Sequence, residues 1–241
     1  MEKMKIEIWS DIACPYCYIG KRKLEKALEQ FPHKDSVELV WHSYELDPNL
    51  PKEALESKIY GYFADKYNLS VNEAHQNMEN VTALAKEVGL NYDFDNLQVA
   101  NTSDALRLIK LAGESNLATE AEEVLFDAYF VRGKDISNKE TLIDLGTRIG
   151  LDKDSIEKML ASNKYLADIQ KDIEYGENEL GLEYIPLYLF NNKQIIQGSI
   201  ASEDYLRVLT EAYSEWEQHG VSNEKGDIIT GQSCSIDGIC S

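Results

Sequence analysis

The chain has 241 residues, 43 of them acidic and 24 basic, for a net charge of −19. Such a surface repels phosphate backbones and anionic lipid, so nucleic acid and membrane are not expected partners. Apolar residues make up 43% and charged residues 28%, ordinary for a globular protein, and no run approaches the roughly 18 apolar residues that a membrane helix needs.

Residues 4–10 alternate apolar and polar groups and read as a strand. The N-terminus lacks the unbroken apolar core of a secretory signal, which points to a cytoplasmic location. A helical pattern follows from Pro15 to Phe31 and stops at Pro32. Residues 37–44, rich in β-branched and aromatic side chains, form a second strand, and the three elements make a βαβ unit. From 51 to 180 only helices are read, at about 70–88, 101–112, 117–131, 139–149, 155–161 and 166–180. Ser70, Asn116, Asn138 and Asp154 are their candidate caps. Strands return at 187–190 and 194–197, joined by Asn191-Asn192, a pair suited to a tight hairpin turn. A last helix covers 202–217, and the polar tail beyond it is expected to be irregular.

Removing the helical block leaves βαβ followed by ββα, the core of a thioredoxin-like α/β fold. The expected organisation is a discontinuous thioredoxin-like domain at 1–50 and 181–220, an inserted helical subdomain at 51–180, and an irregular tail at 221–241.

The four cysteines fall into two pairs, Cys14 with Cys17 and Cys234 with Cys240. Cys14-Pro15-Tyr16-Cys17 lies where the first strand meets the first helix. Unpaired N–H groups and the positive end of the helix dipole favour thiolate over thiol there. Pro15 suits a first helical turn, where its missing N–H costs nothing. The spacing of three places both sulfurs on one helix face. Cys14 is expected to be accessible and to attack; Cys17, one turn further in, is expected to be more buried and to resolve the mixed disulfide. A zinc site built from all four cysteines is the competing reading. A strand-to-helix CxxC favours redox chemistry over it, so no metal or other cofactor is expected.

Pro186 opens the third strand, a position proline tolerates. A cis Ile185–Pro186 bond there would present the Ile185 backbone to an extended substrate. Asp11 either caps the first helix or handles protons, with capping favoured. Lys21 is expected to be solvated, His42 to be a satisfied core or surface histidine, and Arg107 either to bind an anion or to form a helix-surface pair. Cys234 and Cys240 form a possible second redox pair.

Taken together, Ser10-Asp11-Ile12-Ala13-Cys14-Pro15-Tyr16-Cys17-Tyr18-Ile19-Gly20, Glu45-Leu46-Asp47-Pro48, Asn101-Thr102 with Ala105 and Arg107, Gly198-Ser199, and the tail from Cys234 through Asp237-Gly238 to Cys240 resemble the DsbA-like thioredoxin superfamily. Within it the resemblance is to the FrnE-like cytosolic branch, over nearly the whole chain. It implies a thioredoxin core with a helical insertion, a cis Pro186 and protein disulfide oxidoreductase activity. Cys14, Cys17 and Pro186 would be catalytic, and Pro15, Tyr16 and Ile185 would contact substrate. Partners would be client proteins with thiols or disulfides, and glutathione or a thioredoxin-type reductant. Tyr16 stands where periplasmic DsbA has histidine. That shifts the expected potential toward the glutaredoxin range, about −200 to −230 mV, and away from roughly −120 mV. The alternatives are a glutathione-dependent isomerase or transferase of the same fold, and a client-binding chaperone without catalysis. The intact cysteine pair argues against the isomerase or transferase.

Overall fold

The computed structural model describes residues 3–55, 58–222 and 225–235. In chain order the elements are β1 (Met4–Ser10), α1 (Pro15–Gln30), β2 (Val37–Ser43), α2 (Ile59–Tyr67), α3 (Val71–Glu87), α4 (Ser103–Gly113), α5 (Ala118–Phe126), α6 (Lys139–Arg148), α7 (Lys153–Leu160), α8 (Leu166–Leu180), β3 (Tyr184–Ile185), β4 (Leu187–Phe190), β5 (Gln194–Gln197), α9 (Ser202–His219), β6 (Ile228–Thr230) and β7 (Cys234–Ser235). They form two compact units, one from residues 1–10, 16–44 and 172–241, the other from 11–15 and 45–171.

The first unit is the α/β core. Its sheet has the order β2-β1-β4-β5-β6. β1 runs parallel to β2, with Met4 opposite Val37 and Ser10 opposite Ser43. It runs antiparallel to β4, with Ile6 opposite Phe190 and Trp9 opposite Leu187. Every residue of β4 is buried, as a central strand covered on both faces requires. The β4–β5 hairpin turns through Asn191 and Asn192, both in the left-handed region at φ 48° and 54°. Asparagine tolerates that conformation, and Lys193, whose N–H donates to the Phe190 carbonyl at 2.9 Å, completes a three-residue loop before Gln194.

Over residues 225–235 the tail is not irregular as the sequence suggested. β6 adds to β5 in parallel, and β7 pairs with β3 as a separate two-stranded sheet. Both strands are too short to show a period-two pattern. Their stability comes from partners that lie some 33 to 50 residues earlier in the chain.

The second unit is helical. Ser70 caps α3 with a reciprocal capping box: Glu73 N–H donates to its hydroxyl at 3.2 Å, and the Glu73 carboxylate accepts from Ser70 N–H at 2.8 Å. Asn138 caps α6 as expected, but α7 is capped by Asp152, two residues before the expected Asp154. The single helix read over 117–131 is α5 followed by a π-helical turn at Asp127–Val131. Asn116 lies outside it in the left-handed region. Arg107 is buried rather than on the surface. It donates to the carbonyls of Lys164 (2.7 Å), Ser162 (2.5 Å) and Met159 and to Asp104 (2.6 Å), so α4 is tied to the end of α7 and the loop after it. These bonds use four of its five N–H donors and tie it to the helical unit itself, not to an anion.

In the α/β unit His42 is clamped between two carboxylates. Nδ1 lies 2.8 Å from Asp172 and Nε2 3.0 Å from Glu7. The ring stacks on Trp9 at a centroid distance of 4.2 Å, and the Trp9 indole N–H donates to the Asp172 carbonyl at 2.8 Å. Burial favours the neutral ring, but the hydrogen bonds and charges of Asp172 and Glu7 outweigh it and raise the pKa above 6.5. A raised pKa stabilises the fold fully below the unfolded value, and that contribution is lost as pH climbs through the folded one. A His42→Gln variant should therefore show its largest loss of stability near pH 6 and a smaller one at pH 9. Equal deficits in urea unfolding at the two pH values would show that the fold does not raise the pKa of the ring.

Candidate active site

The Cys14-Pro15-Tyr16-Cys17 segment leads from the turn after β1 into α1, with Pro15 as the first helical residue. Neither cysteine is in a disulfide. The expected contrast in exposure does not hold: Cys14 is 0% exposed and Cys17 2%. Position at a helix start fixes the electrostatics of a thiol, but the residues packed over it are distant in sequence.

Around Cys14 the helical unit supplies a polar cradle. The Cys14 N–H donates to the Asp11 carbonyl at 3.0 Å. The Asp11 carboxylate accepts from Ala13 N–H (3.2 Å) and Leu46 N–H (2.7 Å), and Thr102 is a third partner. Asp11 thus ties the turn before α1 to the segment after β2, instead of capping α1 as expected. Burial pushes its pKa up to about 6 against the pull of these hydrogen bonds. Tyr92 donates to the Pro15 carbonyl at 2.8 Å. Tyr67 of α2 is held above the ordinary phenol range by burial, then by the charges of Asp47, Cys14 and Asp11. Tyr129, in the π-helical turn, is raised by burial and by Asp11.

Around Cys17 the α/β unit supplies tyrosines and the proline. The Ile185–Pro186 bond is cis, as expected. Gly20, one turn after Cys17, lies so close to β4 that a Cβ there would collide with the Tyr188 hydroxyl. It would also sit 3.2 Å from Pro186 Cγ and 3.5 Å from Ser199 Cβ. Tyr188 meets Tyr205 of α9 edge-on, ring centroids 5.1 Å apart. Burial and then the charge of Cys17 hold the Tyr205 phenol above its usual range, while a hydrogen bond with Tyr188 opposes them. Lys21 is buried at 3%, not solvated, and pairs with Glu25 at 2.5 Å. The signal was Glu25, four residues on.

Gln197 was missed by the sequence reading. Buried on β5, its side-chain oxygen accepts from Glu183 and Tyr184 N–H (2.9 and 2.8 Å), and its amide donates to the Gly181 carbonyl (2.8 Å). It fixes the approach to Ile185 and Pro186. An isolated glutamine in a strand gives no sequence cue to such a role.

Cys234 is fully buried and disulfide-bonded. A sulfur in a disulfide is not a thiolate ligand, which removes the four-cysteine zinc arrangement from this structure. Cys240 lies outside the described residues. Among the described residues, no group of three or more His, Cys, Asp or Glu is placed to hold a metal ion, and no helix is long and apolar enough to cross a membrane.

Two substitutions test this geometry. Gly20→Ala should destabilise the protein by about 1–3 kcal/mol through overpacking against Tyr188, read from the urea midpoint. Asp11 has a folded pKa above its unfolded value, so its ionisation costs stability as pH rises from about 4 to 6. Relative to Asp11→Asn, the wild type should lose about 2–3 kcal/mol across that window and stay level above it. A constant difference from pH 4 to 8 would show that Asp11 titrates normally.

Known proteins share this fold. The chain matches the DSBA-like thioredoxin domain over residues 5–210. It is 24% identical over 208 residues to the uncharacterised protein YwbO of Bacillus subtilis, covering 86% of this chain and 96% of that one. The crystal structure of the probable DsbA oxidoreductase SCO1869 from Streptomyces coelicolor superposes with a TM-score of 0.82 at 30% identity, over 99% of this chain and 98% of that one. The cytosolic disulfide reductase DsbM of Pseudomonas aeruginosa, solved with GSH, shares the fold at a TM-score of 0.59 and 16% identity, over 89% and 98% of the two chains. A thioredoxin-type core, a strand-to-helix CxxC and a cis-proline before β4 thus occur together with a match over most of the chain, which belongs to the DSBA-like thioredoxin domain family.

Proposed function

We propose that the protein is a thiol–disulfide oxidoreductase of protein clients, of the FrnE-like cytoplasmic branch, with Cys14 as nucleophile and Cys17 as resolving thiol. The observation that carries this reading is a CxxC pair of thiols at the start of α1, in a chain of the DSBA-like family.

The thiolate of Cys14 attacks one sulfur of a client disulfide. A mixed disulfide forms, and the second client sulfur leaves as a thiolate that takes up a proton. Cys17 then loses its proton and attacks the Cys14 sulfur, closing the Cys14–Cys17 disulfide and releasing the first client sulfur as a thiol. Two electrons pass to the client. Run backwards, the same steps oxidise a client dithiol. Reductase turnover needs a thiol reductant, glutathione or a thioredoxin-type protein. The glutathione bound by the structurally similar DsbM supports the former. Pro15 and Tyr16 flank the nucleophile and Ile185 precedes Pro186, and these residues contact the client. Cys234 and Cys240 would serve as a second redox pair, exchanging electrons with the first.

Insulin reduction and refolding of scrambled ribonuclease test the reading in wild type, Cys14→Ser and Cys17→Ser. Cys14→Ser should lose at least a hundredfold in rate. Cys17→Ser should accumulate a mixed disulfide with the client, visible as a reductant-sensitive adduct by mass spectrometry. Full activity in Cys14→Ser would overturn the assignment in favour of client binding without thiol chemistry.

A further inference from the structure

The edge of β3 is already filled by the chain itself. β7 pairs with it antiparallel, Ser235 opposite Tyr184 and Cys234 opposite Ile185. The residues before β7 lead it there along β5 and the turn after it. Gly231 N–H donates to the Gln197 carbonyl at 2.8 Å, and Gln232 exchanges two hydrogen bonds with Ser199, at 2.6 and 3.0 Å. The backbones approach closely because two glycines face them. A Cβ on Gly198, which sits at φ 93°, would lie 2.5 Å from the Gly231 carbonyl oxygen. One on Gly231 would lie 2.5 Å from that of Ser199. Ile185 and Cys234 are both 0% exposed and Ser233 is 4% exposed. This is strand addition within one molecule, the mode by which an extended peptide joins a sheet edge.

We propose that β7 is a resident occupant of the client edge, so that an extended client segment binds by displacing it. The inference rests on the oxidoreductase reading, because only that reading brings a client to Ile185. It defines the client class as a locally unfolded segment with free backbone N–H and C=O groups. Opposite Ile185 such a segment would carry a small side chain, matching the buried Cys234. Small thiols and disulfides have no such backbone and do not compete with β7. Displacement also uncovers Cys234, whose sulfur is shielded while the strand is seated.

The test uses two disulfides with one leaving group. A flexible decapeptide with a central cysteine, and 2-mercaptoethanol, are each coupled to thionitrobenzoate. Release of the chromophore is followed in a single turnover by wild type and by a variant ending at Gly231, with Cys14 and Cys17 reduced. Single turnover keeps any relay through the tail cysteines out of the measurement. The ratio of the peptide rate to the mercaptoethanol rate should rise about tenfold in the variant. An unchanged ratio overturns the inference and leaves the oxidoreductase reading standing. If the variant also loses its mercaptoethanol rate, the full-length Cys17→Ser chain decides. Trapping the peptide on Cys14 should accelerate amide hydrogen exchange in residues 232–235, and exchange unchanged by the trapped peptide overturns the inference. Failure of either disulfide to react with Cys14 in the wild type would overturn the oxidoreductase reading and strand displacement with it.

Discussion

The close approach of α1 to β4 at Gly20 is the constraint on which the surroundings of Cys17 depend. The Tyr188 hydroxyl occupies the space where any other residue would place its Cβ, with Pro186 and Ser199 at the margins of the same space. That contact sets the depth at which α1 lies on the sheet. It therefore fixes the position of Cys17, one turn earlier on the same helix. It also explains why β4 is wholly buried and why an aromatic hydroxyl is needed there: Tyr188 meets Tyr205 within the core, where each polar tip finds a partner. The packing that stabilises the fold is also the packing that positions Cys17.

The opposite choice is made around Asp11. A carboxylate is buried at a cost that the hydrogen bonds from Leu46 and Ala13 only partly offset, as its raised pKa records. It holds together the turn before Cys14 and the segment after β2, two stretches of backbone that belong to no regular element. Burying a charge is a poor route to stability, but a satisfied one specifies a single backbone path. The cost falls where the path matters, three residues before the proposed nucleophile.

What the sequence revealed follows the range of the interactions concerned. The β4–β5 hairpin was legible because Asn191 and Asn192 sit in a turn that only a few residue types tolerate. The α3 start was legible because Ser70 and Glu73 complete their own hydrogen bonds. The start of α1 at Pro15 was legible because a proline suits the first helical turn. β6 and β7 were missed, since Ile228–Thr230 and Cys234–Ser235 owe their conformation to β5 and β3. For the same reason the exposure of Cys14 was misjudged, as was the solvation of Lys21. A local pattern says where a side chain starts; the cover over it comes from residues far away in sequence.

The burial of both active-site sulfurs bears on how the pair survives. Thiolates are oxidised stepwise to sulfenic, sulfinic and sulfonic acids, and the last two steps are largely irreversible. Susceptibility follows exposure as much as ionisation. With Cys14 at 0% and Cys17 at 2% exposure, both sulfurs sit behind protein atoms in the resting chain, which slows every oxidative step that needs direct access to them. A cysteine pair so placed meets any partner, small or large, only when the cover over it opens.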